Sequence, residues 1–543
     1  IRDSPIRLAE FDPIKIGMDF MKVNMLHPQL VVSTLTLFLS VAVSAAPPVE
    51  ITVNTDEPGA LISRQIYGQF AEHLGRGIYQ GIWVGTNSSI PNKNGFRLDV
   101  VNALKKLQIP NIRWPGGCFA DEYHWRDGIG PPEQRPVKVN NHWGGVAETN
   151  AFGTHEFFEL LEMLGADAYI AGNLGSGSPR EMAEWLEYMT SDSNSTLAEL
   201  RRKNGRREPW KVAYWGVGNE SWGCGGNMRP EYYADLYRQY ATFLKAPDAN
   251  RPLKVASGGY NELTDWTDIL SRIPSNIDGI SFHYYTLPSG NWDKKGSAVG
   301  FSRHEWISHL ANTLKIDGYL KKNISILEKN DPDGKIGLYV DEWGSWYDSE
   351  PGRNPGFLYQ QNTIRDAVMA GVNFNIFHSW SERIHMTNIA QMVNVLQAMI
   401  LTKDEKMVLT PTYHVFELHT VFHDSTYIPV TVRDVPRVRS GEVSIPALSV
   451  SAAKAKDGNL YLSLVNLDPE NPSEINATID GMAISTATGR SLEGESMDSH
   501  NTFDSPSSVS PSAIAATTNE NSFRITLPAR SVTVLQITPG SEP

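Results

Sequence analysis

The sequence predicts an α/β chain: a (β/α)8 TIM barrel followed by a C-terminal, jelly-roll-like β-sandwich that also takes in an N-terminal strand. Three observations carry this. Eight short apolar runs alternate with amphipathic stretches from about Gln65 to Ser381, the pattern of strand–helix repeats. After about Val421 the texture changes to short alternating runs separated by Asp, Asn, Gly, Ser and Pro clusters, as in a sandwich. No Gly-rich phosphate loop follows the first run, which argues against a doubly wound sheet.

The elements follow in order. Leu30 to Val49 carries no charge and ends in Val43-Ser44-Ala45-Ala46, small residues suited to a signal peptidase. Residues 1–47 therefore read as an upstream extension and a secretory signal peptide, with a secreted or periplasmic protein expected. Residues 48–62 hold the N-terminal sandwich strand, Glu50–Val53. Residues 63–424 form the barrel. Its apolar runs are Gln65–His73, Asn111–Gly117, Ala168–Gly175, Val212–Glu220, Lys254–Tyr260, Ile277–Thr286, Ile336–Gly344 and Phe374–Ser381. Between them, stretches such as Phe96–Leu107, His155–Leu164 and Glu231–Leu244 have helical spacing, and Pro179 and Pro230 suit first helical turns. Residues 425–543 make the sandwich, with strands such as Ala447–Ala453, Leu460–Val465 and Phe523–Leu527.

Composition narrows the function. The 48 Lys and Arg against 61 Asp and Glu give a net charge of −13, so no nucleic-acid partner is expected. No membrane partner is expected after signal cleavage. Two Cys exclude a disulfide scaffold and a four-cysteine zinc site. The 14 His show no His-Glu-x-x-His pattern. His419 and His423 share helical spacing but lack a third ligand, and a solvated or capping role is expected of them. No metal or cofactor is expected.

The chemistry sits at strand ends, where barrels of this kind carry their sites. The fourth run ends Gly216-Val217-Gly218-Asn219-Glu220, and the seventh ends Val340-Asp341-Glu342-Trp343-Gly344. Strands four and seven lie across a barrel, so the two carboxylates can face each other over one pocket. Two opposed carboxyl groups, one protonated and one ionised, are what glycoside hydrolysis requires. Either alone reads as a salt-bridge or helix-cap residue; the pair points to catalysis.

Four stretches then resemble a family: Tyr67–Arg76 (YGQFAEHLGR), Arg113–Phe119 (RWPGGCF), Asp341–Gly344 (DEWG) and Asn388–Gln391 (NIAQ). They are similar to glycoside hydrolase family 51, the α-L-arabinofuranosidases, over nearly the whole chain after the leader. The resemblance implies Glu220 as general acid/base and Glu342 as nucleophile. It implies that Glu72 accepts hydrogen bonds from the sugar, the alternative being an ion pair with Arg76 or Arg113. Arg113 would orient the nucleophile or a neighbouring carboxylate, and Asn219 would hold the 2-OH. Tyr285 would bond the nucleophile, and His283 would either position it or be a satisfied barrel histidine. Trp346 would wall the sugar, and Gln391, on a helical pattern beyond strand eight, would contact it. Cys118 stands where relatives carry Asn or Cys beside the sugar. The loops bearing Cys118 and Cys224 could approach for a disulfide, but two free thiols are expected.

The implied activity is release of terminal α-L-arabinofuranosyl groups, with retention, from arabinan, arabinoxylan and arabino-oligosaccharides. The expected partners are such plant carbohydrates, and a homo-oligomer, since relatives often form trimers or hexamers. A β-xylosidase or endo-β-glucanase on the same carboxylate pair is the alternative within the clan. A carbohydrate-binding protein without turnover is the alternative outside it.

Overall fold

A computed structural model of the chain describes residues 47–272 and 276–540. Apart from residue 47, the predicted extension and signal peptide lie outside the described residues. Among the described residues no helix is long and apolar enough to cross a membrane.

Eight parallel strands close into a barrel. In chain order they are Gly68–Phe70, Asn111–Trp114, Asp167–Gly172, Tyr214–Val217, Leu253–Ala256, Gly279–Thr286, Gly337–Ser345 and Ile384–Ile389. Closure falls on strand one, which pairs with strand eight through Gly68 and Asn388 and with strand two through Gln69 and Ile112. Gly68 is required there. A Cβ would lie 2.5 Å from the Asn111 amide and 2.7 Å from that of Asn388, two side chains that bond each other at 2.7 Å.

Strand eight differs from expectation. Phe374–Ser381, read as that strand, belongs to the helix Ile364–Ser379, and the strand itself is Ile384–Ile389. The reason is burial on every side. Of this helix only Ile376 and Ser379 escape full burial, because the sandwich covers the face that other barrel helices turn to water. A Cβ on Gly371 would meet Val465 at 2.9 Å and Val532 at 3.2 Å. A helix buried all round, with its few polar residues (Arg365, Asp366, Asn373, Asn375 and His378) also buried, loses its 3.6-residue signature and reads as a buried strand. Its start is still marked, by a capping box of Thr363 and Asp366.

The N-terminal strand, Val49–Asn54, joins the sandwich as expected. It pairs antiparallel with Val430–Arg433 and parallel with Ser473–Asp480 in a five-stranded sheet. A six-stranded sheet packs against it. Val49, Ile51 and Val53 alternate inward onto Leu462, Leu464, Ile475 and Leu535, which is why the period-two pattern is readable.

His419 is neither solvated nor free. It is buried, with Nδ1 donating to the Val415 carbonyl at 2.7 Å and Nε2 3.0 Å from the Ser463 hydroxyl.

A bulge in strand seven decides where the carboxylates point. Against strand six the register runs Ser281 opposite Tyr339, then His283 opposite Glu342. Strand seven thus carries one residue more than its neighbour. Consecutive side chains normally face opposite ways, and a bulge re-aims one of them. Asp341 and Glu342 therefore both reach Arg113.

Candidate active site

Glu342 is gripped at both oxygens. Arg113, from the end of strand two, donates Nη1 to Oε1 at 2.7 Å, and the Tyr285 hydroxyl, from strand six, donates to Oε2 at 2.8 Å. The guanidinium also donates Nη2 to the Asn219 side-chain oxygen at 2.6 Å and lies 4.7 Å from the centre of the Phe70 ring. Its plane thus fixes the strand-seven carboxylate and the residue preceding Glu220 at once.

Glu220 sits on the turn after strand four. His283 Nδ1 lies 2.7 Å from its Oε1 and 3.5 Å from Oε2 of Glu342. One oxygen of each carboxylate and one nitrogen of His283 all fall within 4.8 Å of one another. Burial pushes Glu220 above the usual carboxylate range, and the charge of Glu342 adds to this; the bond to His283 only moderates it. His283 itself is buried, which disfavours its charge. Glu342, Asp341 and Glu220 overcome that and hold the imidazole up at about 10. Among the described residues this cluster has the donors for a metal ion, but the imidazolium already supplies the cation that two carboxylates attract.

Asp341 lies beneath. It accepts from the hydroxyls of Tyr169 (2.6 Å) and Ser281, and its Oδ1 is 3.3 Å from His283 Nε2. Burial alone would push its carboxyl up, but Arg113, His283 and Ser281 keep it down at about 2.

Glu72 follows strand one. Its Oε1 accepts the N–H groups of Gly117 (2.9 Å) and Phe119 (3.1 Å) and the Trp143 indole N–H (2.9 Å), while Oε2 accepts from Gln391 at 3.0 Å. Neither predicted ion-pair alternative forms: Arg76 donates to the Thr402 carbonyl, and Arg113 turns to Glu342. Burial, then the nearby Glu342, raises Glu72 to about 7. Gln391 reaches it from the loop two residues past strand eight. It is not on a helix, as the sequence suggested, because strand eight comes later than the apolar run implied.

Cys118 and Cys224 form a disulfide, with Cα atoms 5.5 Å apart. This corrects the expectation of two free thiols. The loops after strands two and four meet directly over the site, a proximity that sequence spacing does not disclose.

Seven of the ten candidates line one inner cavity: Glu72, Cys118, Glu220, Tyr285, Glu342, Trp346 and Gln391. Arg113 and His283 stand behind it, bonded to Glu342 and Glu220, and Asn219 is held there by Arg113. An outer compartment of about 230 Å³ opens from it past Glu220, Tyr285 and Trp346. Its aromatic walls, Trp222, Tyr260 and Trp292, escaped sequence reading, as did Trp143 and Asp121. The ring centres of Trp222 and Tyr260 lie 4.1 Å apart with the planes tilted by 31°, and Trp292 packs edge-on to Trp346 at 5.3 Å. Only Trp143 had a local hint, a lone Trp before Gly144-Gly145 in the loop after strand two.

Comparison with known proteins bears on this arrangement. Residues 103–298 match the family described as alpha-L-arabinofuranosidase 1 domain, and residues 341–531 the alpha-L-arabinofuranosidase C-terminal domain. An intracellular exo-alpha-L-arabinofuranosidase of Bacteroides ovatus is 49% identical over 94% of this chain and 99% of its own length. Alpha-L-arabinofuranosidase C of Emericella nidulans is 33% identical over 84% of this chain and 92% of its own. Among solved structures, the GH51 arabinofuranosidase from Xanthomonas axonopodis pv. citri is 51% identical, with a TM-score of 0.89 over 90% of this chain and 100% of that one. The arabinose complex of the Thermotoga maritima alpha-L-arabinofuranosidase is 31% identical, with a TM-score of 0.79 over 91% and 100%.

The expected secreted or periplasmic location is overturned by the first of these relatives. It is matched almost end to end and is named intracellular, whereas the leader behind the expectation lies outside the described residues. With both family regions matched in order and relatives aligned along nearly the full length, the chain belongs to glycoside hydrolase family 51, the α-L-arabinofuranosidases.

Proposed function

We propose that this glycoside hydrolase, which releases arabinofuranose, is exo-acting and retaining, and works through a covalent glycosyl-enzyme. The observation that carries this is the carboxylate pair. An oxygen of Glu220 lies within 4.8 Å of one of Glu342, which fits the ~5–5.5 Å separation of carboxyl groups in retaining pairs.

In the first step Glu342 attacks the anomeric carbon as the bond to the leaving oxygen breaks. Glu220 gives its proton to that oxygen. Burial raises its pKa and so favours the protonated form this step needs. The product is a glycosyl ester on Glu342, whose negative charge is then gone. That removes one of the influences that raise Glu220, so the carboxylate left behind accepts a proton from water. The water attacks the same carbon, and Glu342 leaves as a carboxylate held by Arg113 and Tyr285. Two displacements on one carbon return the original configuration.

The remaining residues take substrate roles. Glu72, already bonded by Trp143 and Gln391, offers its lone pairs to sugar hydroxyls. The Asn219 amide, its oxygen occupied by Arg113, has N–H groups for the 2-OH. The inner cavity, with Glu72, Glu220 and Glu342 in its walls, would take the terminal furanose, and the aromatic outer compartment the sugar to which it is linked. Arabinan, arabinoxylan and their oligosaccharides carry such terminal units.

The test is a panel of aryl α-L-arabinofuranoside, aryl β-D-xyloside and soluble β-glucan, with the first-formed anomer followed by NMR. The expected result is turnover of the arabinofuranoside with retention. Inversion, or preference for the xyloside or glucan, overturns the reading.

A further inference from the structure

Glu220 holds a backbone conformation that side chains rarely adopt, with φ at +38°. Such a conformation persists only where the surroundings over-determine it. On one side the N–H of Ser221 donates to the Ser257 hydroxyl at 3.1 Å. Within the loop the Glu220 carbonyl accepts the N–H groups of Gly223 (2.7 Å) and Gly225 (3.2 Å), and from outside it a short helical turn, Cys118–Glu122, after strand two adds further restraint.

That turn grips the Glu220 loop at two points. Four residues past Glu220, Cys224 is bonded to Cys118. One residue before it, the Asn219 N–H donates to Oδ2 of Asp121 at 2.9 Å. The loop folds back tightly between these points: a Cβ on Gly225 would lie 1.7 Å from the Asn219 carbonyl oxygen and 2.7 Å from Asp121 Oδ2.

Asp121 is anchored in turn on the loop after strand three. Its Oδ1 accepts the N–H groups of Leu174 and Gly175, each at 2.8 Å. Its carbonyl accepts from Ser176, through N–H at 3.1 Å and Oγ at 2.8 Å. The side chain is buried and, among the described residues, forms no salt bridge. A buried carboxylate without a paired cation is costly. What it achieves is specific: two acceptor oxygens take backbone donors from two different loops. Asparagine has one acceptor and cannot serve both.

We propose that Asp121 is a positioning residue for the reaction: by joining the strand-three loop to the Asn219 N–H, its carboxylate sets the direction in which Glu220 presents its proton. This rests on Glu220 being the acid/base. Asp121 touches neither the inner cavity nor the reacting carboxylates, so it acts only through the backbone of its neighbour.

A structural support would affect all substrates alike, whereas in the first displacement, which kcat/KM reports, a device that aims a proton matters only where the leaving group needs one. The wild type, D121N and E220A are compared on 2,4-dinitrophenyl α-L-arabinofuranoside and on methyl α-L-arabinofuranoside. The first leaves unaided, and the second requires protonation. For D121N, kcat/KM on the methyl glycoside should fall roughly 10- to 100-fold, the scale of a misplaced catalytic group, with kcat/KM on the dinitrophenyl glycoside close to wild type. Equal losses on both substrates, or no loss on the methyl glycoside, overturn the proposal. Should D121N not fold, D121S leaves space for water to take the freed N–H groups and is judged by the same two rates. The E220A arm separates the two levels. If E220A shows the split and D121N does not, only the role of Asp121 falls. If E220A shows no split, the acid/base reading falls and this proposal with it.

Discussion

His283 Nδ1 lies 2.7 Å from Oε1 of Glu220. A single imidazole thus holds the side chain of the group that must both give and take a proton, while 3.5 Å away it also meets Glu342. Its position makes it a regulator of proton affinity rather than a mere spacer.

The sign of that effect is testable. His283 lowers the affinity of Glu220 for its proton, partly offsetting burial and the charge of Glu342. Replacing it by Asn removes the cation. Glu220 should then stay protonated to higher pH, and the alkaline limb of kcat/KM should move upward. The acidic limb need not move with it. An alkaline limb that stays in place or moves down refutes this account of His283.

The two carboxylates should separate cleanly by mutation. E342G should lose activity by roughly 10⁴-fold or more, since nothing else can form the ester. Azide should restore part of it and yield a glycosyl azide of inverted configuration. E220A should turn over activated aryl substrates but stall on natural linkages, and azide should give the retained product. Product NMR checks both. Matching azide products from the two variants would mean that the roles are misassigned.

Much of this site is legible in the sequence, for a physical reason. Glu220 and Glu342 each end an apolar strand, so burial pattern and chemistry coincide at one point of the chain. Glu72 and Arg113 are marked in the same way. Asp121 and Trp143 lie in the long excursion after strand two, which has no period to place them, and their partners are backbone groups or residues far away in sequence. The disulfide is hidden likewise: 106 residues separate its halves. Strand eight is misread for the opposite reason. The helix Ile364–Ser379 is so thoroughly enclosed that it has no polar face to betray its period.

That enclosure predicts a stability effect at Gly371. Adding one methyl group there brings a Cβ to 2.9 Å from Val465, between two rigid layers. Gly normally gains helix propensity on change to Ala, but overpacking costs about 1–3 kcal/mol. G371A should therefore lower the denaturant midpoint while leaving the kcat of the folded enzyme unchanged. A raised midpoint would show that helix and sheet can part at no cost.

The same seam carries buried histidines that should make the fold acid-sensitive. Burial is the main cause that drops His419 and His423 from 6.5 to about 4, and it drops His378 well below its usual range. A lowered folded pKa means that the unfolded chain binds protons first. Their contribution is neutral above pH 6.5 and increasingly unfavourable as pH falls from there towards 4. Each histidine adds up to about 1.4 kcal/mol per pH unit across that window. Other groups titrate there too, Glu72 and Asp121 near 7 among them, so the wild-type slope alone does not isolate the histidines. The difference between wild type and H419Q does. Glutamine's amide can donate to the Val415 carbonyl and cannot protonate, so H419Q should lose less unfolding free energy between pH 7 and pH 5 than the wild type. Parallel losses would mean that His419 takes up its proton without leaving the seam.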